Sequence, residues 1–364
     1  MGKLLFFASD FKIGQSSLLT DQLVALNHGD VDVVAVSGEK EQEKGLQKRT
    51  KQLGIDVRYI DGLDEHANFV GLAKWIANII RQENVGYVHV QNNWQMMLTV
   101  FSKFILLRNL RLRIIYTIHG FRNNKPIKAI IARIVIGTML LLFANKVICM
   151  STYLKRNFSF LGKKIVLIPL GISDDYFLSE RPRLPLNGLH MMFPAQFRVG
   201  KNQHLIIRAF ARHINKCEDK DSHLYLPGMG ELCESMKSLT EELGISDRVS
   251  FPGFCTKQEV LQLYKKCNIG IVASNSETFG QAIVEPFVLG RCVISTHVGI
   301  AEDILVDGEN GFFFSTEEDL RDIFERLYKE PQLITRAGEK NYDKRNMFSW
   351  KNVTERYEGV VEKL

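Results

Sequence analysis

The chain has 364 residues, 45% of them hydrophobic and 24% charged, with a net charge of +6. That length holds two domains with ordinary cores. The balance describes a soluble globular protein, and no short internal repeat, low-complexity tract or long disordered linker is present.

The first half alternates apolar strands with amphipathic helices. Strands are predicted at Leu4–Ala8, Val31–Val36, Val57–Tyr59, Tyr87–Val90, Ile114–Ile118, Val147–Met150 and Ile165–Ile168, with helices at Leu18–Leu26, Val70–Gln82 and Gln95–Leu106. Lys3–Ala8 is short, is followed by Ser9-Asp10, and reads as the first strand rather than a secretory signal. Ala129–Phe143 is strongly apolar, but Arg133 interrupts it and it falls short of the roughly 20 residues a bilayer crossing needs. A buried or partly interfacial helix is expected there. Pro169-Leu170-Gly171-Ile172 breaks the alternation, and the stretch from Arg181 to Asn187, with Pro182 and Pro185, is the candidate linker.

The second half restarts with a strand at Leu189–Phe193 and adds at least five further strand–helix units, closing on an amphipathic helix at Val353–Val361. Such alternation predicts parallel sheets covered by helices on both faces. The domains are drawn at residues 1–175 and 176–345, with residues 346–364 as a closing helix.

Chemistry concentrates after residue 189. The strand Ile269–Val272 runs into a polar turn, Ala273–Glu277, then Phe279-Gly280 and a helix from Ile283 to Leu289. A helix start offers unpaired backbone N–H groups to a phosphate. Glu277 and Glu285, eight positions apart across that junction, can bracket a ligand and accept hydrogen bonds from its hydroxyls. Sugar-nucleotides carry both parts. Arg198 and Lys201 follow the strand Leu189–Phe193, at the sheet end that faces ligands in such folds. Gly228-Met229-Gly230, the run from Val249 to Phe254, the stretch from Val298 to Glu302, and Asp307-Gly308-Glu309-Asn310-Gly311 supply further landmarks. In order and spacing this constellation resembles the E-x7-E motif of glycosyltransferase family 4, whose members have the GT-B architecture. The likeness is strong over residues 189–315.

The resemblance implies an α/β fold of two Rossmann-like domains whose parallel sheets face a central cleft, with the C-terminal helix crossing back to the first domain. It implies that Arg198 and Lys201 hold the diphosphate, that Glu277 contacts the transferred sugar, and that Glu285 accepts the ribose hydroxyls. The backbone N–H groups of Thr278, Phe279 and Gly280 would reach sugar or diphosphate. Phe254 and Cys255 would frame the nucleobase, and Gly228 and Gly230 would keep their loop close to the nucleotide. His119, at the end of Tyr116-Thr117-Ile118-His119-Gly120, corresponds to a histidine that contacts the sugar and steadies an oxocarbenium-like transition state. Gly14 stands alone where the family usually shows paired glycines, and Gln15 and Ser16 are candidates for acceptor contact. The lone Gly14 also departs from the G-x-G-x-x-G fingerprint, which argues against a nicotinamide enzyme. The simpler alternatives are solvated loop cations, turn glycines, a capping carboxylate and a structural histidine.

The expected activity is metal-independent transfer of a sugar from a nucleotide-diphosphate donor, UDP favoured, with retention of anomeric configuration. The acceptor would be a glycan or lipid-linked glycan of a cell-surface polysaccharide, and no cofactor is expected. The alternatives are a GDP-mannose-dependent mannosyltransferase, an isomerase or hydrolase of nucleotide sugars on the same fold, and a non-enzymatic sugar-nucleotide-binding protein. The six cysteines show no paired metal spacing and read as reduced thiols of a cytosolic protein. Over residues 103–133, basic residues such as Lys103, Arg108, Arg111, Arg113 and Arg133 interleave with leucines and isoleucines. That pattern suits an anionic membrane face or a solvated helix flank. No motif for nucleic acid accompanies it.

Overall fold

The computed structural model describes residues 3–7, 21–23, 25–26, 32–38, 55, 57–60, 63, 68–106, 111–119, 126–177 and 187–364, with the side chains of 126–133 left aside. The chain divides into two compact units, residues 1–171 with 350–364, and residues 172–349.

The first unit is built on seven strands: β1 (Lys3–Phe7), β2 (Val33–Gly38), β3 (Val57–Ile60), β4 (Val85–Val90), β5 (Arg113–Ile118), β6 (Lys146–Cys149) and β7 (Ile165–Leu167). They lie in the order β3-β2-β1-β4-β5-β6-β7, every pairing parallel. Leu4, Leu5, Phe6 and Phe7 of β1 are wholly buried, as expected of a central strand covered on both faces. Helices α1 (Phe69–Gln82), α2 (Asn93–Ile105), α3 (Pro126–Phe143) and α4 (Thr152–Arg156) join the later strands. Asn68 and Asn92 cap α1 and α2, each accepting a backbone N–H of the first turn. The apolar segment expected near Ala129–Phe143 is α3. Among the described residues no helix is long and apolar enough to cross a membrane. Part of the expected helix Leu18–Leu26 is described, and residues 21–23 and 25–26 of it are helical. Most of the candidate linker, residues 181–186, lies outside the described residues.

The second unit has six parallel strands, β8 (His190–Met192), β9 (His223–Tyr225), β10 (Val249–Ser250), β11 (Ile269–Val272), β12 (Cys292–Ser295) and β13 (Gly311–Phe313), ordered β10-β9-β8-β11-β12-β13. The helices are α5 (Gln203–Cys217), α6 (Cys233–Glu242), α7 (Lys257–Lys265), α8 (Gln281–Val288), α9 (Ala301–Ile304), α10 (Glu317–Lys329) and α11 (Gln332–Lys344). Capping boxes start α7, at Thr256 and Glu259, and α10, at Thr316 and Asp319. In both sheets the order reverses beside the first strand of the unit, between β1 and β4 and between β8 and β11. Ligands of open parallel sheets sit at such reversal points, beyond the carboxyl ends of the strands.

The last helix, α12 (Trp350–Glu362), belongs to the first unit. A Cβ on Gly171 would lie 2.3 Å from the Trp350 ring, so only glycine lets that ring sit there. Tyr357 stacks on His89 of β4 with ring centres 5.2 Å apart. All six cysteines are free thiols, with Cys149, Cys267 and Cys292 buried. Burial pushes each of those three up to about 12, well above an ordinary thiol, which keeps it protonated and unreactive.

Candidate functional site

Four loops of the second unit leave the carboxyl ends of adjacent strands, and each carries residues singled out by sequence. Arg198 and Lys201 follow β8, Gly228 and Gly230 follow β9, Phe254 and Cys255 follow β10, and Glu277 to Gly280 follow β11. The contact at the reversal point is an ion pair: Lys201 Nζ meets Glu277 Oε1, each side chain keeping less than a fifth of its surface exposed. Ser274, fully buried, donates its hydroxyl to the same carboxylate oxygen at 2.7 Å. The sequence reading gave Lys201 and Glu277 to different parts of a donor, and the structure brings them into direct contact. Arg198, on the same loop as Lys201, is exposed.

The two loops are stitched by polar contacts that the sequence reading did not anticipate. The Asn275 N–H donates to the Gly200 carbonyl at 2.8 Å. Asn202 donates its side-chain amide to Ala273 O at 2.9 Å and to Asn275 Oδ1 at 2.5 Å. Gly200 has φ +90°, a conformation that lets its carbonyl turn toward Asn275. The glycine between Arg198 and Lys201 therefore shapes the loop that presents the lysine.

Helix α8 opens on Gly280 at φ +95°, an N-cap residue with no side chain of its own to cap the first amides. A helix start that opens on glycine can offer its backbone N–H groups to anionic oxygen. Phe279 turns its ring into the core, edge-on to Phe348. Its carbonyl accepts the Ile300 N–H at 2.8 Å, which anchors the turn ahead of Gly280. Gly228 and Gly230, expected to keep their loop close to a nucleotide, meet a requirement inside the protein first. A Cβ on Gly228 would lie 2.0 Å from Ala195 O, and one on Gly230 would lie 2.2 Å from Phe197 O. The backbone of the β9 loop runs against that of the β8 loop, with Ala195 N–H on Pro227 O and Phe197 N–H on Met229 O, both at 3.0 Å.

Glu285 lies one turn into α8. The protein packed around it pushes its carboxyl up to about 7, opposed by the nearby Tyr176 hydroxyl and by Lys257. Among the described residues the buried hydroxyls of Tyr176 and Tyr264 have no partner of good geometry, and burial, with the Glu285 charge added to it, holds both phenols above their ordinary range. A half-buried carboxyl beside two buried hydroxyls is a polar recess in which a polyol could exchange hydrogen bonds. Sequence reasoning missed Tyr176 and Tyr264, because neither is close to Glu285 along the chain. Phe254 is exposed and Cys255 half-buried. Both line an open groove of about 890 Å³ together with Asp174, Asp175, Gln258 and Lys266.

In the first unit His119 closes β5 and is half-buried. Its Nε2 lies 2.6 Å from Gln91 Oε1, and burial lowers its pKa to about 4, so the ring is neutral at pH 7. Gln91 also takes its own N–H to Gln95 Oε1 at 2.7 Å, and its amide nitrogen lies 3.5 Å from His89 Nε2. His89 in turn meets the Thr117 hydroxyl at 2.7 Å. This chain of buried groups holds the His119 ring in one orientation. Gly14, Gln15 and Ser16 lie outside the described residues.

Known proteins share this organisation. Residues 18–176 match the family described as Glycosyltransferase Family 4, and residues 177–344 match Glycosyl transferases group 1. A putative glycosyltransferase of Bacillus subtilis, EpsD, is 26% identical over 173 residues, 47% of this chain and 44% of that protein. The uncharacterized glycosyltransferase MJ1178 of Methanocaldococcus jannaschii is 25% identical over 224 residues, 61% of this chain and 60% of that protein. These alignments span about half the length of the curated relatives. Among solved structures, Anabaena HepE in complex with UDP superposes with a TM-score of 0.81 at 17% identity, over 100% of both chains. The lipopolysaccharide outer core galactosyltransferase WaaB does so at 0.77 and 14% identity, again over 100% of both. These likenesses show the fold, a GT-B arrangement of two parallel-sheet domains. With the two family matches running in succession from residue 18 to residue 344, the chain belongs to glycosyltransferase family 4, group 1.

Proposed function

We propose that this chain is a retaining glycosyltransferase that takes a sugar from a nucleoside diphosphate and needs no metal ion. The observation that carries the reading is the Lys201–Glu277 pair at the strand reversal, next to the glycine-led start of α8. Departure of a nucleoside diphosphate builds negative charge on a phosphate oxygen. A fixed ammonium, the Arg198 guanidinium and oriented amides stabilise that charge more in the transition state than before it. Glu277 accepts hydroxyls of the transferred sugar. Glu285, with Tyr176 beside it, accepts those of the ribose. His119, neutral and held by Gln91, has the role the family likeness gives it, steadying positive charge on the sugar without adding a like charge. The acceptor attacks from the face the phosphate leaves, and the departing oxygen takes its proton.

UDP is the favoured nucleotide, supported by the solved relatives in complex with UDP and UDP-glucose. The groove beside Phe254 and Cys255 receives the base. The acceptor is a glycan or lipid-linked glycan of a cell-surface polysaccharide, and the protein works in the cytoplasm or on the inner face of the membrane. The test is a thermal-shift panel of UDP, GDP, ADP and CMP, followed by incubation with the matching sugar donors and NMR assignment of the product anomer. Stabilisation by UDP and an α-linked product from an α-donor support the reading. Stabilisation by GDP alone moves the donor to GDP-mannose, inversion of the anomer overturns the mechanism, and free sugar as the sole product would make the chain a hydrolase.

A further inference from the structure

From Val85 to Gly171 the chain carries thirteen lysines and arginines and no aspartate or glutamate. Folded surfaces ordinarily intersperse both signs. Three described lysines of this stretch settle on backbone oxygens. Lys103 donates to Leu112 O at 3.0 Å, Lys146 to Lys163 O at 3.2 Å, and Lys164 to Leu141 O and Ala144 O at 2.5 and 2.7 Å. Each keeps its charge on the protein with no counter-charge from its own stretch.

The same stretch exposes large apolar side chains. On α3, Ile134, Val135, Leu141 and Leu142 are 63, 62, 49 and 67% exposed. They recur at i, i+1, i+7 and i+8, which is one face of a helix. Thr138, on that face, turns its hydroxyl back onto Ile134 O at 2.9 Å. The patch continues on both sides. Phe104 of α2, 61% exposed, packs edge-on to Phe143, and Phe160, 54% exposed, lies so close to Gly137 that a Cβ there would come within 2.5 Å of its ring. Lys103 adjoins Phe104, and Lys164 grips the carboxyl end of α3 beside Leu142, so cations flank the apolar face at two edges.

We propose that this face docks peripherally on the surface of an anionic phospholipid bilayer. Apolar side chains standing out from a helix lying in the interface enter the boundary between headgroups and acyl chains, while flanking lysines and arginines reach the phosphates. Complementarity of charge selects this occupant. A stretch with thirteen cations and no carboxylate is self-repelling, and a continuous negative surface relieves it. Attachment through side chains and opposite charge is reversible and salt-sensitive.

The experiment is co-sedimentation of the full chain with vesicles of phosphatidylcholine alone, or with a third of it replaced by phosphatidylglycerol. Binding is expected to be at least about tenfold tighter to the anionic vesicles and to weaken as salt rises from about 0.1 to about 1 M. The double variant Ile134→Glu, Leu142→Glu should weaken it about tenfold or more with an unchanged melting temperature. Arg113→Glu, at an exposed site on the same unit, should weaken it with no apolar change. Equal binding to both vesicles, wild-type binding by both variants, or tighter retention by an RNA homopolymer at matched salt would overturn the proposal. So would a dimer that the double variant disperses, which would give the face to a second copy. The readout is binding, so its outcome stands apart from the transferase reading, and UDP titration of the same variants should be unchanged.

Discussion

Burial sets the charge of three side chains in opposite directions. Glu285 is raised to about 7, above its ordinary carboxyl value, so between those two values the folded chain holds a proton that the unfolded chain has lost. Its contribution favours folding at low pH and is lost as pH rises through about 7. His119 and His89 are lowered by burial to about 4 and about 3. There the unfolded chain binds protons first, and stability is lost as pH falls below about 6.5. Of these three groups, the alkaline loss falls in the second unit and the acid loss in the first. Glu285→Gln should therefore stabilise the chain by about 1–3 kcal/mol at pH 8 and by little at pH 5, while weakening UDP binding about tenfold or more. Paired thermal melts and a UDP titration check this, and equal melting shifts at both values would mean the carboxylate ionises freely. His119 raises a different question, whether its orientation matters. Gln91→Leu removes the oxygen at 2.6 Å from its Nε2 and should lower kcat about tenfold with KM little changed. A rise in KM alone would place Gln91 in donor binding.

At the scale of elements, two glycines with positive φ separate strain from collision. Gly200 at φ +90° has open space where a Cβ would sit, whereas Gly228 at φ +148° would drive a Cβ to 2.0 Å from Ala195 O. Gly200→Ala should cost about 1–2 kcal/mol of backbone strain. Gly228→Ala should cost more, about 3 kcal/mol or above, because two backbone segments must part. Urea unfolding of the two variants measures the difference, and equal losses would mean the β9 loop can retreat. Local pattern made the elements legible. Ile269–Val272 was expected as a strand and is β11, and the expected helix Val70–Gln82 is α1 with one residue added. Apolar runs and helical periods are properties of neighbours in the chain, so they survive reading one residue at a time. The candidate site was legible only where it is local too. Glu277, Gly280 and Glu285 were marked by their junction, and Lys201 by its place after β8. The Asn202–Ala273 bond, the approach of Tyr176 to Glu285 and the His119–Gln91–His89 chain join residues of distant segments. Nothing in the spacing of these residues announces them.

For the whole molecule, the order of folding units departs from the order of the chain. The last helix, α12, completes the first unit, burying Trp350 against Gly171 and Tyr357 against His89. Residues 1–171 alone therefore leave a gap along β4, the strand that carries His89 and leads to Gln91. Truncation before Trp350 should strip protection from amides of β4 and β5 in hydrogen exchange while leaving those of β11 and β12 unchanged. Point variants locate the effect. Tyr357→Ala opens a cavity beside His89 and should cost about 3–5 kcal/mol. Tyr357→Phe keeps the stack and removes a buried hydroxyl that has no partner among the described residues, so it should be neutral or stabilising by about 1 kcal/mol. If the phenylalanine variant instead loses as much as the alanine one, the hydroxyl has a function that packing does not supply. If truncation lowers protection in both units alike, the closing helix is a tie for the whole chain rather than a part of the first unit's core.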